Sequence, residues 1–382
     1  FKYWLEYFNI MTVQQTSHQV QEEFLDSMFL ISHSEKTKIT YQTGLNHFKK
    51  FTLAKYDLDE DQVVAKIKSE ELDLYHVIRD FVIYLDKKDI KPKGLRSYLS
   101  GVKGYLRHWG IRINSDDYKQ LVKIPKVIRT REIPLTKEMI LRILRNSSPK
   151  LQTVILLASS SGLRIGEIVQ LKLSDIDFGS NPVKIDVRGE IAKGGASRET
   201  YVTTETAIAL KDYLKKNFGW KEEQTNWNLQ NTIIFGRLSK NNGDSVAKNP
   251  SESAKQMLQV ALRREIAKIP ELSVRNENGR RAIHFHGFRK YFRTILGNVC
   301  GRDYAEALMG HGFYMDTYYQ LPDEKKKKMF LEAETQLTIS DYESVEKDMK
   351  VLSTKYQNLE NKVDDLMAYL RTNSIEVPEF LK

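Results

Sequence analysis

Apolar residues recur at three- and four-residue intervals along most of the chain, a spacing that places them on one face of an α-helix. Tyr41, Leu45 and Phe48 form one such stripe in the first hundred residues. Alternation typical of a β-strand occurs at Pro182–Val187, and Thr200–Thr203 is its candidate partner strand. The chain is therefore predicted to be mainly α-helical with a small β-sheet, an α+β fold.

Residues 13–118 are predicted to form a helical domain with a basic surface, preceded by residues 1–12 as an extension that resembles neither a signal peptide nor a transit peptide. One helix of this domain turns Leu95, Leu99 and Val102 inward. Four basic residues of the same helix fall on its other faces and are candidate DNA contacts: Lys93, Arg96, Lys103 and Arg107. A solvated helix face is the alternative interpretation.

Residues 119–135 contain five basic residues and two prolines and show little helical periodicity, so they are predicted to be an interdomain linker. Three of these basic residues are further candidate DNA contacts: Lys123, Lys126 and Arg129. A plain solvated linker is the alternative. Residues 136–339 follow as a mixed domain, in which the apolar helix Leu151–Ser161 is expected to end near Gly162.

The tail, residues 340–382, carries an apolar heptad repeat. Eight positions from Val345 to Leu370 are spaced alternately four and three residues apart. An unbroken repeat of this kind predicts a coiled coil and therefore self-association. A single amphipathic helix that folds back on the body is the alternative.

The positive charge of the chain is concentrated ahead of this tail. The net charge is +10, and because the tail has nine acidic and six basic residues, the first 339 residues carry +13. Such a surface binds nucleic acid through phosphate neutralisation and counterion release. One cysteine, Cys300, and no C-x-x-C pair favour a reducing compartment. No apolar run approaches the roughly 18 residues of a membrane-spanning helix, so no membrane partner is expected.

Four separated motifs carry the residues suited to chemistry. In chain order they are SGLRIGEI at residues 161–168, Lys193 in the predicted hairpin, H-G-F-R from His286 to Arg289, and Gly310-His311 followed by Tyr318 and Tyr319. Each motif alone is common, but their order, spacing and completeness resemble the tyrosine recombinase, or phage integrase, family. The resemblance covers about residues 30–335 and is specific in the second domain. The tyrosines lie seven and eight residues after His311, whereas the family's tyrosine lies about nine residues after.

The resemblance implies a site-specific DNA recombinase or integrase of a mobile genetic element, which cuts and rejoins strands through a 3′-phosphotyrosyl intermediate. Arg164 and Arg289 would hold the scissile phosphate, because guanidinium groups remain charged and bind phosphate oxygens bidentately. Tyr319 is the expected nucleophile and Tyr318 the alternative. Glu167 is expected to support the first motif rather than to perform chemistry.

The same resemblance assigns the proton transfers. His286 and His311 are expected to assist the tyrosine, whose hydroxyl has a reference pKa of about 10. Lys193 is the expected proton donor to the leaving 5′-oxygen. Three other cations flank the hairpin and are alternatives for that role: Lys184, Arg188 and Arg198. A zinc site at His284 and His286 is not expected, because no cysteine or carboxylate cluster accompanies them.

The implied reaction needs no cofactor, because the free 5′-hydroxyl of a partner strand can reverse the attack on the phosphotyrosyl bond. The implied partner is double-stranded DNA, on which four protomers would surround a junction. The resemblance also implies a cytoplasmic, nucleoid-associated protein of a prokaryote or virus. A type IB topoisomerase-like enzyme and a non-catalytic DNA-binding scaffold are the two alternative functions.

Overall fold

The computed structural model describes residues 19–127, 133–221, 230–236, 250–276, 279, 281–311, 321–340, 359 and 363. The chain divides into two compact units after residue 129. Helices predominate in the described residues and are accompanied by one three-stranded sheet, so the predicted α+β class is confirmed. None of the described helices combines the length and apolar character that crossing a bilayer would require.

The first unit is helical. Its described helices are α1 (residues 19–32), α2 (Glu35–Tyr56), α3 (Glu60–Lys68), α4 (Leu74–Lys87), α5 (Pro92–His108) and α6 (Ser115–Leu121). Two glycines allow α2 and α5 to cross at close range. A Cβ on Gly44 would lie 2.9 Å from the Cα of Tyr98, and one on Gly101 would lie 3.1 Å from the Cα of Tyr41. The face of α5 opposite its basic residues is thereby fixed against α2.

Segment 119–135, predicted to be a linker with little helical periodicity, begins with the last residues of a helix. Helix α6 continues to Leu121, and Val122 is buried in the core of the first unit. The Asn114 side chain caps α6 by accepting hydrogen bonds from the backbone N–H groups of Asp116 and Asp117. An asparagine cap followed by acidic residues in the first turn is the local signal for this helix.

The second unit packs helices around a small antiparallel sheet of three strands, in which neighbouring strands are also consecutive along the chain. Ile185 of the central strand lies opposite Ile176 on one side and Thr200 on the other. Its described elements are α7 (Lys137–Arg145), α8 (Pro149–Ser161), α9 (Ile165–Ile168), β1 (Ile176–Asp177), β2 (Val183–Val187), β3 (Arg198–Val202), α10 (Thr204–Phe218), α11 (Pro250–Ala267), α12 (Phe285–Cys300), α13 (Arg302–Met309) and α14 (Asp323–Leu337). The β2–β3 hairpin was predicted, whereas β1 was not.

Two glycine-capped helix ends position the site. Helix α8 ends at Gly162, whose φ is +65°, and a Cβ there would collide with the Phe292 ring of α12. Helix α13 ends at Gly310, whose φ is +64°. Because only glycine adopts this left-handed conformation without strain, both helices stop abruptly and the chain turns. These turns present Arg164 after the first helix and His311 after the second.

Candidate active site

A buried carboxylate, Glu167, connects two arginines. Its Oε1 accepts a hydrogen bond from Arg164 Nη1 at 2.9 Å, and its Oε2 accepts one from Arg198 Nη2 at 2.7 Å and one from the Arg164 backbone N–H at 2.8 Å. Burial alone would raise the pKa of Glu167, but the hydrogen bonds and charges of Arg198 and then Arg164 outweigh it and hold the pKa below its usual value. The ionised Glu167 therefore orients Arg164.

Arg289 lies on α12 with only 1% of its surface exposed. Its Nη1 donates to the Gly162 carbonyl, and its Nη2 donates to the Met309 carbonyl at 2.7 Å and lies 2.9 Å from His311 Nε2. Its Nε has no hydrogen-bond partner among the described residues. Burial, followed by the charge of Arg164, lowers the pKa of Arg289 to about 9, which leaves it charged at neutral pH. Arg289 thus joins the two helix ends.

Glu306 of α13 holds His311 from the other side. Its Oε2 lies 2.5 Å from His311 Nδ1, and its Oε1 accepts a hydrogen bond from Arg293 Nε at 2.5 Å. Burial would raise the pKa of Glu306, but hydrogen bonds from Arg293 and then His311 outweigh it and lower the pKa. A carboxylate at Nδ1 fixes the ring, so that Nε2 faces Arg289. The sequence analysis did not identify Glu306, and it considered Arg198 only as an alternative to Lys193.

These contacts define one arginine–carboxylate cluster, which consists of Arg164, Glu167, Arg198, Arg289, Glu306 and His311. Two other predicted site residues, His286 and Lys193, are exposed. His286 lies in the first turn of α12, with its ring centroid 6.2 Å from that of His284. Lys193 lies in the turn between β2 and β3. The described residues contain no group of three or more His, Cys, Asp or Glu side chains suited to a metal ion.

The three alternatives to Lys193 all have acidic partners. Lys184 pairs with Asp186 at 3.3 Å, Arg188 with Asp175 at 2.8 Å and Arg198 with Glu167 at 2.7 Å. By contrast, no carboxylate of the described chain lies within 4 Å of Lys193. Of these four cations, Lys193 is the one that has no acidic partner among the described residues.

The predicted nucleophile Tyr319 and its alternative Tyr318 lie outside the described residues. The chain is described again from residue 321, and Lys326 in the first turn of α14 pairs with Glu199 of β3 at 2.6 Å. On the other side of the gap, the Leu308 carbonyl accepts a hydrogen bond from Arg198 of the same strand at 2.9 Å. Strand β3 therefore anchors the chain on both sides of residues 312–320.

A second candidate site is the basic face of α5, formed by Lys93, Arg96, Lys103 and Arg107. At 100° per residue these four side chains fall within about 80° of the helix circumference. None of them has a carboxylate within 4 Å among the described residues. Lys103 Nζ lies 4.1 Å from the ring centroid of Tyr118, and burial, followed by the charge of Arg107, lowers the pKa of Lys103. This face therefore has unneutralised charge.

The candidate linker contacts are only partly described. Lys123 and Lys126 are exposed, and Lys123 donates to the Lys119 carbonyl at 3.1 Å. Arg129 lies outside the described residues. Elsewhere in the first unit, many lysines are neutralised by acidic neighbours: Lys38 by Asp26, Lys49 by Glu60, Lys55 by Asp80 and Lys66 by Glu71. The four cations of α5 have no such pairing among the described residues.

The fold and the cluster define a class, namely mainly helical α+β proteins with an arginine–carboxylate cluster at two helix ends. The family model described as "Phage integrase family" matches residues 112–317, more than half of the chain. The chain belongs to the phage integrase family, and the resemblance drawn from its motifs is confirmed. The matched range ends immediately before Tyr318.

Curated relatives carry names from the same family. Tyrosine recombinase XerD of Rickettsia conorii is 27% identical over 195 residues, which cover 47% of this chain and 59% of that protein. Tyrosine recombinase XerA of Saccharolobus solfataricus is 23% identical over 235 residues, which cover 59% of this chain and 72% of the relative. The chain therefore spans about three fifths of the rickettsial relative that it matches.

Solved structures share the fold at low sequence identity. A lambda integrase dimer bound to a COC′ core site has a TM-score of 0.52 and 17% identity, and the match covers 80% of this chain and 98% of that chain. A lambda integrase tetramer bound to a Holliday junction has a TM-score of 0.50 and 18% identity, with 80% of each chain covered.

Proposed function

We propose that this chain is a site-specific DNA recombinase that cuts and rejoins strands through a 3′-phosphotyrosyl intermediate. The observation that carries the proposal is the convergence of Arg164, Arg289 and His311 at two helix ends, with the buried carboxylates Glu167 and Glu306 behind them. Arg164 is open to a ligand, whereas Arg289 is buried and keeps one donor that is unpaired in the described part of the chain. The Arg164 side chain is 24% exposed, and Arg289 Nε lacks a partner among the described residues.

The arginines would act on the transition state. A phosphodiester under attack gathers charge on its non-bridging oxygens, and fixed guanidinium donors stabilise that charge without needing to reorganise. The two contacts of His311 fit an imidazole protonated on Nδ1, which donates to Glu306, while Nε2 accepts from Arg289. In this arrangement His311 holds Arg289 in place beside the phosphate. Tyr319 or Tyr318 would supply the attacking oxygen, assisted by His286.

The leaving 5′-oxygen needs a proton, and Lys193 would donate it. Its position in an exposed turn, with Lys184, Arg188 and Arg198 all committed to carboxylates, favours Lys193 for this role. The phosphotyrosyl link conserves the energy of the phosphodiester bond, so rejoining by a 5′-hydroxyl requires neither a nucleotide nor a metal ion.

Binding to double-stranded DNA would come from charge spread over the first unit and the segment that follows it. The basic face of α5, with Lys123, Lys126 and Arg129, offers cations to the phosphate backbone without specifying base sequence. For a chain of prokaryotic or viral origin, we propose that this activity takes place at the nucleoid in the cytoplasm of a prokaryotic cell, where a mobile genetic element would meet its target DNA.

Self-association through the tail is a further part of the proposal, with a tetramer on DNA. Leu359 and Val363, two of the heptad positions, are helical and 65% and 50% exposed. Apolar heptad positions left open to solvent favour burial against a second copy. Deleting residues 341–371 should lower the stoichiometry measured by sedimentation, either free or on DNA. Unchanged stoichiometry in both states would favour the helix that folds back.

The experiment that tests the enzymatic proposal is incubation with nicked suicide duplexes made from the terminal sequences of the element that encodes the chain. A recombinase should accumulate a covalent protein–DNA adduct that survives denaturation, at a defined position. Relaxation of supercoiled DNA by a monomer, without sequence-specific cutting, would instead indicate a topoisomerase. Tight binding with no adduct on any duplex would indicate a DNA-binding scaffold.

A further inference from the structure

We propose that Arg198 is a positioning residue for strand cleavage, which sets the orientation of Arg164 through Glu167 and couples it to the segment that carries His311. The inference rests on the proposed function and extends it to a residue outside the four sequence motifs. Sequence reasoning considered Arg198 only as a substitute for Lys193.

Arg198 is held on three sides. Its side chain is 8% exposed, its Nη2 donates to Glu167 Oε2 at 2.7 Å, and its Nε donates to the Leu308 carbonyl at 2.9 Å. Gly310 lies against the aliphatic part of the side chain, where a Cβ would come within 2.7 Å of Arg198 Cδ. One planar guanidinium thus connects the turn after α8 to the end of α13.

Arg198 influences Arg164 because the two arginine side chains bind different oxygens of Glu167. Arg198 occupies Oε2, so Oε1 alone is left for the Arg164 side chain. Without Arg198, Oε2 would keep only the Arg164 backbone N–H as its donor among the described residues, and the Arg164 guanidinium could shift to bind both carboxylate oxygens in a bidentate pair. Arg164 would then be drawn toward Glu167 and away from the phosphate. A displacement of about 1 Å at a reacting centre costs up to about 100-fold in rate.

The charge state of Glu167 depends on the same contact. Burial raises the pKa of Glu167, and Arg198 supplies the largest opposing effect, followed by Arg164. Arg289 also interacts electrostatically with this carboxylate. Removing Arg198 should therefore raise the pKa of Glu167, and the carboxylate would protonate as the pH falls. Cleavage by such a variant should weaken further toward acid pH, whereas the wild type keeps Glu167 ionised.

The matched control is Arg188, the other arginine of the same hairpin. It pairs with the buried Asp175 at 2.8 Å and donates to the Gln170 carbonyl at 3.0 Å, and it has no described contact with Glu167. Both Arg198→Met and Arg188→Met remove one ion pair to a buried carboxylate and one hydrogen bond to a carbonyl, and Arg188→Met also removes an ion pair with the exposed Glu190 at 3.0 Å. The two variants should therefore lose similar amounts of thermal stability. If Arg198→Met cleaves more slowly than Arg188→Met, the difference reflects the contact of Arg198 with Glu167.

The experiment measures single-turnover adduct formation on a suicide duplex, DNA affinity and melting temperature in the full chain. Arg198→Met should cleave about 10- to 100-fold more slowly than wild type at neutral pH, with a larger deficit at acid pH. Arg188→Met should stay within about threefold, and both variants should bind DNA normally. Arg198→Lys, which keeps the charge and can retain one of the two contacts, should recover part of the rate.

A double variant tests the route through Glu167. Arg198→Met should add little to the defect of Glu167→Gln if both residues act on Arg164 by the same path. Fully additive defects, or equal cleavage by Arg198→Met and Arg188→Met at every pH, would overturn the inference. If Arg198→Met does not fold, failure of Arg198→Lys to cleave better than Glu167→Gln would also overturn it. Absence of an adduct with wild type would instead refute the proposed cleavage itself.

Discussion

The basic face of α5 and the arginine–carboxylate cluster use cationic side chains in opposite ways. On α5 three of the four cations are exposed, and none has an acidic partner among the described residues. In the cluster, Arg198 and Arg289 are buried, and each guanidinium is fixed by carboxylates or backbone carbonyls. The first arrangement suits many interchangeable phosphates, whereas the second suits one phosphate at a defined position.

This contrast separates affinity from chemistry. Ground-state binding is spread over many contacts and depends on salt, while transition-state stabilisation depends on a few preorganised donors. Substitutions in the cluster should therefore slow cleavage at nearly constant DNA affinity, whereas substitutions on the basic face of α5 should weaken DNA binding at nearly constant cleavage.

Arg164→Ala should have the largest effect, because Arg164 is the partly exposed arginine of the cluster. Cleavage should fall about 1,000-fold or more, as expected for a cation that stabilises phosphoryl-transfer charge, with DNA affinity nearly unchanged. Single-turnover cleavage and equilibrium binding on the same duplex measure both quantities. Arg142→Ala, which removes an exposed ion pair with Glu271, is the control. If Arg164→Ala lost affinity in proportion to activity, Arg164 would be an ordinary phosphate contact.

Lys193→Ala should slow cleavage by about 100-fold, because a general acid contributes on this scale. A duplex with sulfur in place of the bridging 5′-oxygen should largely restore the rate, since a thiolate leaves without a proton. Lys184→Ala is the matched control on the same hairpin and should cleave normally on both duplexes. Lys193 would not be the proton donor if Lys184→Ala also slowed cleavage, or if the sulfur-containing duplex did not restore the rate of Lys193→Ala.

Arg289→Ala should differ from Arg164→Ala in its effect on folding. It leaves the Gly162 and Met309 carbonyls without their donor and removes one of the largest fully buried side chains. An unpaired buried polar group costs about 1–3 kcal/mol, so we expect a loss of at least about 2 kcal/mol in the free energy of unfolding. Chemical denaturation measures this loss. Equal stability of the two variants would place Arg289 in a more open setting than the structure shows.

Lys103→Met should have the smallest effect. We expect DNA affinity to fall a few-fold and the slope of log affinity against log salt to decrease by about 0.9 if one phosphate contact is lost. Lys55→Met, which removes a lysine paired with Asp80 in the same unit, should leave the slope unchanged. Cleavage by DNA-saturated Lys103→Met should equal that of wild type. If Lys103→Met leaves the slope of log affinity against log salt unchanged, the basic face of α5 is a solvated surface.

Local signals in the sequence were sufficient for much of the fold. The end of α8 follows from Gly162, and the start of α2 follows from the Ser34 side chain, which accepts a hydrogen bond from the Thr37 N–H. Helix α6 was missed because its Asn114 cap lies beside a basic, proline-containing stretch that resembles a linker. Strand β1 has two residues, too few for an alternating pattern.

Only part of the candidate site could be predicted from the sequence. Arg164, Glu167, Arg289 and His311 stand in recognisable motifs, whereas the supporting partners Arg198 and Glu306 do not. Arg198 reaches Glu167 across 31 residues and Leu308 across 110, and no local periodicity encodes such contacts. The burial of Arg289 was also not foreseen, because a motif specifies which residue is present and not how the surrounding helices enclose it.

Covalent trapping with the two tyrosine variants tests the cleavage reaction itself. Tyr319→Phe should lose the adduct on a suicide duplex while Tyr318→Phe retains it, because phenylalanine preserves the ring and deletes only the attacking oxygen. The reverse result would move the nucleophile to Tyr318 and leave the reaction as proposed. An adduct that persists in the double Phe variant would contradict cleavage by either tyrosine.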